Sequence, residues 1–537
     1  MIYGGRSNGG EHGTVLTKRE VTEFMLDLLD YKPSKNLSKI RILEPAAGEG
    51  VFLKEIVKRL FESSKKYNFD FQDSLSNIRV VEIDDNKVTI LQRWLRKKLQ
   101  DYGIANDDLI NEIIINGDFL LTQVEKFDII VGNPPYVRYD NIPKDLQKKY
   151  KRFFNSFQHR ADLYIPFFEK GLDLLSESGK LCFICSNRWM KSQYGQNLRE
   201  LISYSYGIPV IINLEDADAF EEKVHAYASI TLITKKIENK IDYFQTQDIQ
   251  DFGTILDILS GEKNNSDSLR YFRIPKPETS NWILDPELIE IHNHDFFTLE
   301  EQGFKIGIGV ATGADSIFIG KELPELVEKE AILPLISGRD IIDGKIFWQG
   351  NYVINPYNGA TNQLINLSTY PKLKNYLETN KEKLLKRHTA QKNPRKWYKT
   401  IDKIDITLIN KPKLLLPDIK GSPHIALDEG EYYLHHNVYY ILNHDKKNLK
   451  ILGSLLMSDF VLKQIKIVSN IMNGGYPRWQ AQNLRKIVIP KISELSERDK
   501  DNLEKYFDKK NLNQINDLVN TIIHKEKHHS IKPAPSI

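Results

Sequence analysis

The chain has 537 residues, of which 41% are hydrophobic and 27% are charged, and its formal net charge is +3. That length is large for one hydrophobic core and predicts two large domains. The composition is that of a soluble globular protein, no run approaches the roughly 18 apolar residues of a membrane span, and so small a net charge singles out no class of partner.

The N-terminus and the cysteines predict a reducing compartment. The opening sequence MIYGGRSNGGEHG lacks the basic start and apolar stretch of a secretion signal, so we expect a cytoplasmic protein. Two cysteines cannot build a disulfide framework. Cys182 and Cys185 lie in the apolar run GKLCFICSN with no helix N-terminus beside them, which predicts inert core thiols rather than redox chemistry or a metal site.

The first part of the chain alternates apolar runs with amphipathic stretches. RILEPAAGEG predicts a strand and a glycine-rich turn, and VFLKEIVKRLFES predicts the helix that follows. The later runs IRVVEIDDN, EIIINGDFL, KFDIIVGNPPY, KLCFICS, IPVIINL and ASITLITKK predict further strands, and ADLYIPFFEKGLDLLSESG predicts a long helix. Strand–helix alternation favours right-handed crossovers and a mostly parallel sheet. We therefore expect an α/β, doubly wound Rossmann-like sheet over residues 1–245.

The second part of the chain is less periodic. Residues 246–290 contain the polar stretch SGEKNNSDS and the proline-containing RIPKPETSN, which predict a linker. Short runs with turns between them predict a mixed α+β domain over 291–490, and the charged, helical pattern after it predicts a helical extension over 491–537.

A basic stretch lies inside the predicted second domain. Residues 371–420 contain 14 Lys and Arg against five Asp and Glu, with Tyr376, Trp397 and Tyr398 among them. This pattern fits a solvated helix face and equally a surface that follows nucleic-acid phosphates.

Acidic residues end three of the predicted strands. Glu44 could accept hydrogen bonds from an ammonium group, and Glu82 from both hydroxyls of a ribose. Asp118 could pair with an adenine amino group while Phe119 lies against the ring. Singly, each acid also fits a solvent-exposed strand end, but the three together describe S-adenosylmethionine.

The turn after the first strand agrees with that cofactor. The glycines at 48 and 50 let the backbone come close to a ligand, but the third glycine of a dinucleotide fingerprint and the lysine of a P-loop are missing. A phosphate-anchored cofactor is therefore disfavoured, and we expect no metal.

The tetrapeptide NPPY at 133–136 follows the fourth strand. An exocyclic amino group of a base is a poor nucleophile, because its lone pair is delocalised into the ring. The side-chain oxygen of Asn133 and the carbonyl of Pro134 could accept its hydrogens and favour a pyramidal nitrogen. Pro134 and Pro135 hold both acceptors in an extended backbone, and Tyr136 offers a ring for stacking. A base in a duplex would have to be flipped out, and Phe220 is the candidate second face.

These segments resemble a known family. VLTKREVTEFML (15–26), ILEPAAGEGVFL (42–53), VEIDD, GDFL, NPPY and AFEEKV, in this order, are similar to the gamma-group N6-adenine DNA methyltransferases of restriction-modification systems. The resemblance implies that Thr17 contacts the methionine carboxylate and that Phe220 stacks on the base. The cofactor residues are then Thr17, Glu44, Pro45, Ala46, Gly48, Gly50, Glu82, Ile83, Asp118 and Phe119, and the catalytic ones Asn133, Pro134, Pro135, Tyr136 and Phe220. Lys18 stands where the family often has proline, which leaves the start of the first helix open.

The resemblance also implies the partners. Residues 1–245 would be the S-adenosylmethionine-dependent catalytic domain and 291–490 the recognition domain for double-stranded DNA, with GIGVATGADSIF, YPRWQAQNLRKIVIP and the basic stretch as its marks. Arg339, Arg387, Arg395 and Arg478 could reach guanines or phosphates. We expect a monomer, and a separate cognate restriction endonuclease that acts on the same DNA site is a possible partner.

Several functions remain open. Cytosine N4 is possible chemically, and glutamine protein methyltransferases and some RNA methyltransferases carry NPPY or related tetrapeptides. A large basic second half favours DNA over a peptide. A fused restriction enzyme is disfavoured, because motifs begin near the N-terminus and no nuclease constellation is evident downstream. A DNA-binding protein with a decayed catalytic half is disfavoured by the intact NPPY.

Overall fold

The computed structural model describes residues 16–214, 217–221, 228–262, 268–280, 282–292, 296–359, 361, 363–418, 424–469 and 477–529. Two compact units, Met1–Pro286 and Glu287–Ile537, make up the chain. In the described part of the chain, no helix is long and apolar enough to cross a membrane.

The first unit is built on a nine-stranded sheet in the described residues, with strand order β3-β2-β1-β4-β5-β7-β6-β8-β9. Strands β1 to β5 all pair in parallel, and β6 pairs in parallel with β8, whereas β7 and β9 run antiparallel to their neighbours. The predicted α/β, Rossmann-like fold class is confirmed. The strands are β1 (Ile42–Glu44), β2 (Ile78–Glu82), β3 (Ile114–Asn116), β4 (Phe127–Gly132), β5 (Leu175–Ser186), β6 (Gly207–Asn213), β7 (Ala228–Thr234), β8 (Lys240–Thr246) and β9 (Leu269–Pro275).

Helices connect and cover these strands. Apolar residues of the helices and strands, such as Phe24, Ile56, Leu91 and Val80, form one buried cluster. Asp84 caps the helix that begins at Asp85 by accepting the N–H of Asn86 at 2.9 Å, as expected of an acid at a helix N-cap. The helices are α1 (Arg19–Leu28), α2 (Val51–Tyr67), α3 (Phe71–Leu75), α4 (Asp85–Asp101), α5 (Asp107–Ile113), α6 (Lys144–Phe153), α7 (Tyr164–Asp173), α8 (Gln196–Ser205), α9 (Phe252–Ser260) and, at the junction of the units, α10 (Pro286–His292).

Two predicted boundaries were wrong. The helix expected to run to Gly179 ends at Asp173, because Leu175 already pairs with Phe127 and a register shift follows before Lys180. The region 246–290 is not merely a linker, since it contains α9 and the strand β9, which pairs with β8 over its whole length. The edge strand LRYFRIP is mostly exposed, so it lacks the apolar alternation that identifies strands.

The second unit contains two four-stranded sheets and two strand pairs in its described residues. The sheet orders are β11-β20-β17-β18 and β12-β16-β13-β19, and the pairs are β10-β21 and β14-β15. These strands are β10 (Phe296–Thr298), β11 (Lys305–Ile308), β12 (Ile319–Gly320), β13 (Ile332–Ile336), β14 (Ile341–Ile342), β15 (Lys345–Ile346), β16 (Tyr352–Ile354), β17 (Lys413–Pro417), β18 (Ala426–Asp428), β19 (Tyr433–Leu434), β20 (Val438–Leu442) and β21 (Val488–Pro490).

The helices of the second unit include the C-terminal ones. Ser454 donates to the carbonyl of Leu503 at 2.6 Å, so the segment predicted as an extension packs onto this unit. A β-carbon at Gly453 would lie 2.3 Å from the Phe507 ring, which shows how closely these helices approach. The helices are α11 (Asp315–Phe318), α12 (Leu323–Leu326), α13 (Pro371–Thr379), α14 (Lys381–Leu385), α15 (His388–Lys392), α16 (Lys446–Met457), α17 (Asp459–Val468), α18 (Ala481–Leu484), α19 (Glu497–Lys509) and α20 (Leu512–His529).

The two cysteines are core residues. Cys182 and Cys185 are free and fully buried in β5. Burial raises the pKa of both thiols well above the usual value. Both thiols are therefore protonated and unreactive, as their sequence context predicts.

Candidate active site

Four polar side chains lie at the carboxyl ends of four neighbouring strands. Glu44 ends β1, Glu82 ends β2, Asp118 follows β3 and Asn133 follows β4. These strands are adjacent in the order β3-β2-β1-β4 and mutually parallel. Their carboxyl ends therefore meet along one edge of the sheet, which is where open α/β sheets bind ligands. The structure brings together the residues that sequence spacing assigned to separate strand ends.

Glu44 is a buried acid, with 1% of its surface exposed. Its Oε2 accepts the backbone N–H of Leu53, in the first turn of α2, at 3.0 Å. Burial raises the pKa of Glu44 well above the usual value; the Leu53 bond opposes this, the charge of Glu82 adds to it, and Lys54 opposes it. A cationic ligand group beside Glu44 would relieve the cost of keeping this carboxylate charged.

Glu82 is fixed by backbone donors. Gly48 donates its N–H to Oε2 at 2.7 Å, and Ile83 and Asp84 donate theirs to Oε1 at 2.9 Å each. A carboxylate offers about four acceptor positions, so these bonds leave about one. Binding of both ribose hydroxyls, as the sequence predicts, would require a ligand hydroxyl to replace one of these N–H donors.

Asp118 and Phe119 lie on the turn after β3. The Oδ1 of Asp118 accepts the N–H of Leu120 at 2.9 Å, and Oδ2 accepts the hydroxyl of Tyr150 at 2.6 Å. Burial raises the pKa of Asp118 above its usual value, against the opposing effect of these bonds. The Phe119 ring lies 5.1 Å from that of Phe167, which belongs to α7.

Asn133 is bonded to the N-terminal segment. Its Nδ2 donates to Oγ1 of Thr17 at 3.1 Å, which fixes the plane of the amide group. Thr17 and Phe220 form an isolated antiparallel bridge, flanked by the bond from the Lys18 N–H to the Ala219 carbonyl at 3.1 Å. Helix α1 begins directly after Lys18, and proline at 18 could not make this bond because it has no N–H.

Tyr136 and Phe220 touch, but not as two parallel faces. Their ring centroids are 6.3 Å apart and the planes are inclined by 84°, so one ring presents its edge to the other. Edge-to-face packing is one of the two arrangements that contacting aromatic rings prefer. The expected stacking pair is therefore closed in this structure, and a base between the rings would require one of them to turn. Residues 222–224 of the AFEEKV motif lie outside the described residues.

One cavity, with about 790 Å³ of empty space including its opening to solvent, lies at this edge of the sheet. The predicted residues that line it are Thr17, Glu44, Pro45, Ala46, Gly48, Glu82, Ile83, Asp118, Phe119, Asn133 and Pro135. Four predicted residues do not line it: Gly50, Pro134, Tyr136 and Phe220.

Gly50 has a different role. A β-carbon there would lie 2.4 Å from Cδ2 of Leu91, and the φ angle of +75° is one that favours glycine. Its lack of a side chain therefore allows α2 and α4 to approach each other. Further lining residues that the sequence had not indicated are Leu16, Ala47, Glu49, Val51, Phe52, Val81, Gly117 and Phe167. Most are apolar residues that resemble ordinary core positions in the sequence.

The lining is acidic. Glu44, Glu49, Glu82 and Asp118 are its ionisable residues, and no described lysine or arginine lines it. Such a cavity favours a ligand with positive charge and repels a pyrophosphate, which normally binds at helix N-termini or basic groups.

The second unit separates the four candidate arginines into two pairs. Arg387 donates to the carbonyls of Thr312 at 3.0 Å and Trp397 at 2.6 Å, and Arg478 pairs with Asp418. Both side chains are half-buried, and both are bonded to groups within the unit. Arg339 and Arg395 are exposed, and so are in a position to contact a partner.

Comparison with known proteins identifies the family. Residues 25–220 match the family described as Eco57I restriction-modification methylase, and residues 333–490 match the TaqI-like C-terminal specificity domain. Over 528 residues the chain is 38% identical to the Type II methyltransferase M.BstVI of Geobacillus stearothermophilus, with 92% of each chain covered. The chain belongs to the Type II restriction-modification methyltransferases. This methyltransferase is also 36% identical to the Type II methyltransferase M.XhoI of Xanthomonas vasicola. That alignment of 499 residues covers 89% of this chain and 91% of M.XhoI.

A solved structure agrees with the architecture of the methyltransferase. The Type IIL restriction-modification enzyme MmeI, solved in complex with DNA, matches with a TM-score of 0.53 and 12% identity, over 96% of this chain and 74% of that chain. At this identity the likeness shows the fold alone.

Proposed function

We propose that this enzyme transfers a methyl group from S-adenosylmethionine to the N6 amino group of an adenine flipped out of double-stranded DNA. Asn133 carries the proposal, because its amide lies in the wall of an acid-lined cavity. The relatives are named Type II methyltransferases, which supports DNA as the substrate. A TaqI-like specificity domain supports sequence-specific recognition by the second unit.

The cavity fits the cofactor chemically. S-adenosylmethionine supplies an electrophilic methyl group on a cationic sulfonium and carries an ammonium group besides. Glu44 would receive the ammonium group, Glu82 a ribose hydroxyl, and Asp118 the adenine amino group, with Phe119 and Phe167 beside the ring. The acidic lining, without lysine or arginine in the described residues, suits these donors and cations.

Asn133 and Pro134 would activate the target nitrogen. The Thr17 hydroxyl accepts from the nitrogen of the Asn133 amide at 3.1 Å, so Oδ1 is the amide atom that can accept from the base. Together with the Pro134 carbonyl, it accepts the amino hydrogens where they favour a pyramidal nitrogen. Pro135 cannot donate a competing N–H and keeps the preceding residue extended. A proton can leave after methylation, so no ionisable base is needed before attack.

The neighbouring segment is built to hold this loop. Leu163, at the N-terminus of α7, donates its N–H to the carbonyl of Val137 at 2.9 Å. Tyr136 directly precedes Val137, and its ring contacts that of Phe220; both rings would stack on the extruded base once one of them has turned.

The test uses Asn133→Ala in the full chain. Purified enzyme is incubated with labelled S-adenosylmethionine and unmodified genomic duplex DNA, and mass spectrometry of the released nucleosides identifies the modified base. We expect N6-methyladenine from the wild type and a loss of at least about 100-fold in the variant, the usual cost of removing a transition-state acceptor or donor. Binding of S-adenosylhomocysteine should remain.

Asn197→Ala is the matched control, because that amide donates to a loop carbonyl, of Asn155 at 2.8 Å, and does not line the cavity. It should methylate like the wild type. N4-methylcytosine as the only product would refute the adenine assignment, an unlabelled duplex would refute DNA as the substrate, and a near-normal rate for Asn133→Ala would refute the role of the amide.

A further inference from the structure

A buried tyrosine outside the motifs is bonded to one acid of the cavity. Tyr150, on α6, is fully buried, and its hydroxyl donates to Oδ2 of Asp118 at 2.6 Å. The N–H of Leu120 donates to Oδ1 at 2.9 Å. Each carboxylate oxygen therefore has its own donor, and the carboxylate plane is set before any ligand binds.

Lys170 holds the same turn from α7. Its ammonium group donates to the carbonyls of Phe119 and Thr122 and lies 5.0 Å from the centroid of the Phe119 ring. Because these bonds are made to main-chain carbonyls, Lys170 fixes the position of the turn that carries Asp118 and Phe119. Tyr150 touches the carboxylate itself and so acts on its charge and on the lone pairs that a ligand can use.

We propose that Tyr150 is a positioning residue that makes the cofactor site select a 6-amino purine over a 6-oxo purine. The proposal rests on the proposed function, since it takes Asp118 as the acceptor for the amino group of the cofactor. A 6-amino group requires an acceptor, whereas a 6-oxo group requires a donor. The Tyr150 hydroxyl stabilises the ionised carboxylate, which can only accept.

Loss of that hydroxyl changes the chemistry of the buried acid. Burial already raises the pKa of Asp118, and the Tyr150 bond is the strongest opposing influence, ahead of the Leu120 bond and the charges of Lys170 and Lys149. Without it, Asp118 is neutral over a wider pH range and can donate a hydrogen bond to a ring carbonyl. If Tyr150 only held α6 in place, its replacement would weaken the binding of both kinds of ligand to the same extent.

The experiment compares S-adenosylhomocysteine with S-inosylhomocysteine, which differ in that ring substituent. Calorimetry gives both dissociation constants for the full-length wild type and for Tyr150→Phe. We expect the wild type to bind the adenosyl ligand more tightly than the inosyl ligand. In the variant the ratio of the two dissociation constants should fall about tenfold, which corresponds to the free energy of one hydrogen bond to a charged group. Tyr271→Phe is the matched control: it removes a tyrosine–aspartate bond of 2.7 Å, to Asp242, at the far edge of the sheet, and should leave the preference unchanged.

The outcomes separate the two proposals. A wild type that binds neither ligand would refute the proposed cofactor. A wild type that discriminates, with Tyr150→Phe discriminating equally, would refute only the role of Tyr150. Should Tyr150→Phe not fold, titration of the wild type to acid pH tests the premise of the proposal, that the ionised Asp118 carboxylate makes the selection. Protonation of Asp118, which faces Tyr150, Lys170 and Lys149, must shift the preference toward the inosyl ligand, and an unchanged ratio would overturn the proposal.

Discussion

Replacing Glu44 by glutamine is expected to weaken cofactor binding strongly and to reduce its pH dependence. Glutamine keeps the shape and can still accept the Leu53 N–H, so the variant removes the charge and little else. Glu44 is 1% exposed, and loss of one partner from a buried charge pair costs about 2–5 kcal/mol. Because 1.4 kcal/mol corresponds to a factor of ten, the dissociation constant of S-adenosylhomocysteine should rise about 30- to 4,000-fold.

The pH dependence follows from the same burial. The pKa of Glu44 is raised well above 4.5, chiefly by burial, with Glu82 adding to the effect and with Leu53 and Lys54 opposing it. Between the usual and the raised value the free enzyme therefore holds a proton on Glu44, and an ammonium group expels it. Affinity should rise with pH, by up to about tenfold per unit, and level off above the raised pKa.

Calorimetry in buffers of different ionisation enthalpy measures this proton directly. The wild type should release protons on binding S-adenosylhomocysteine at acid pH, and Glu44→Gln should release fewer. Equal affinity and equal proton release in the two proteins would refute the assignment of Glu44 to the ammonium group.

Two further predictions concern stability. Lys413 and Asp428 form a fully buried ion pair of 2.6 Å. Lys413→Met should lower the free energy of unfolding of the second unit by about 3–5 kcal/mol, because it leaves the Asp428 carboxylate as an unpaired buried charge. Chemical denaturation measures this, and an unchanged midpoint would contradict it. Gly50→Ala should cost about 1–2 kcal/mol for the left-handed backbone alone, and more for the contact with Leu91. Thermal melting checks it against Gly253→Ala, which meets nothing within 4 Å, lies in α9 and should melt no lower than the wild type.

The sequence predicts the strand ends well, because the signal there is local. Each motif directly follows an apolar run, and parallel strands necessarily present their carboxyl ends at one edge. Glu44, Glu82, Asp118 and Asn133 therefore come together at that edge, as their order along the chain predicts. The apolar core and the fold class follow from the same periodicity.

Contacts between distant segments are not predictable in this way. Thr17 and Asn133 are 116 positions apart, and their hydrogen bond depends on how the N-terminal segment crosses the sheet. Tyr150 and Asp118 are bonded across 32 positions, and KKYKRFF has no feature that distinguishes a carboxylate partner from an ordinary core tyrosine. Phe167 likewise has the sequence context of a helix core residue. Such residues become visible only when the packing of α6 and α7 against the sheet is known.

Glu82, at the end of β2, shows that the type of a residue does not determine its role. Sequence position gives Glu82 as an acceptor, but not how many of its lone pairs are already used. Three backbone N–H groups donate to its carboxylate, from the turn after β1 and from its own strand end. Those bonds orient the carboxylate, and they also limit it to about one further donor.

Arginines in the second unit illustrate the same limit for DNA recognition. Composition marks all four candidates equally, since any arginine in a basic region can reach a phosphate or a guanine. Packing removes Arg387 and Arg478, whose guanidinium groups are engaged by Trp397, Thr312 and Asp418. Breaking those bonds to reach DNA would take these donors away from the Thr312 and Trp397 carbonyls and the Asp418 carboxylate, at a cost comparable to the free energy that a new hydrogen bond to DNA would contribute. Exposed arginines such as Arg395 meet no such cost, so sequence-specific contacts from this group should come from them.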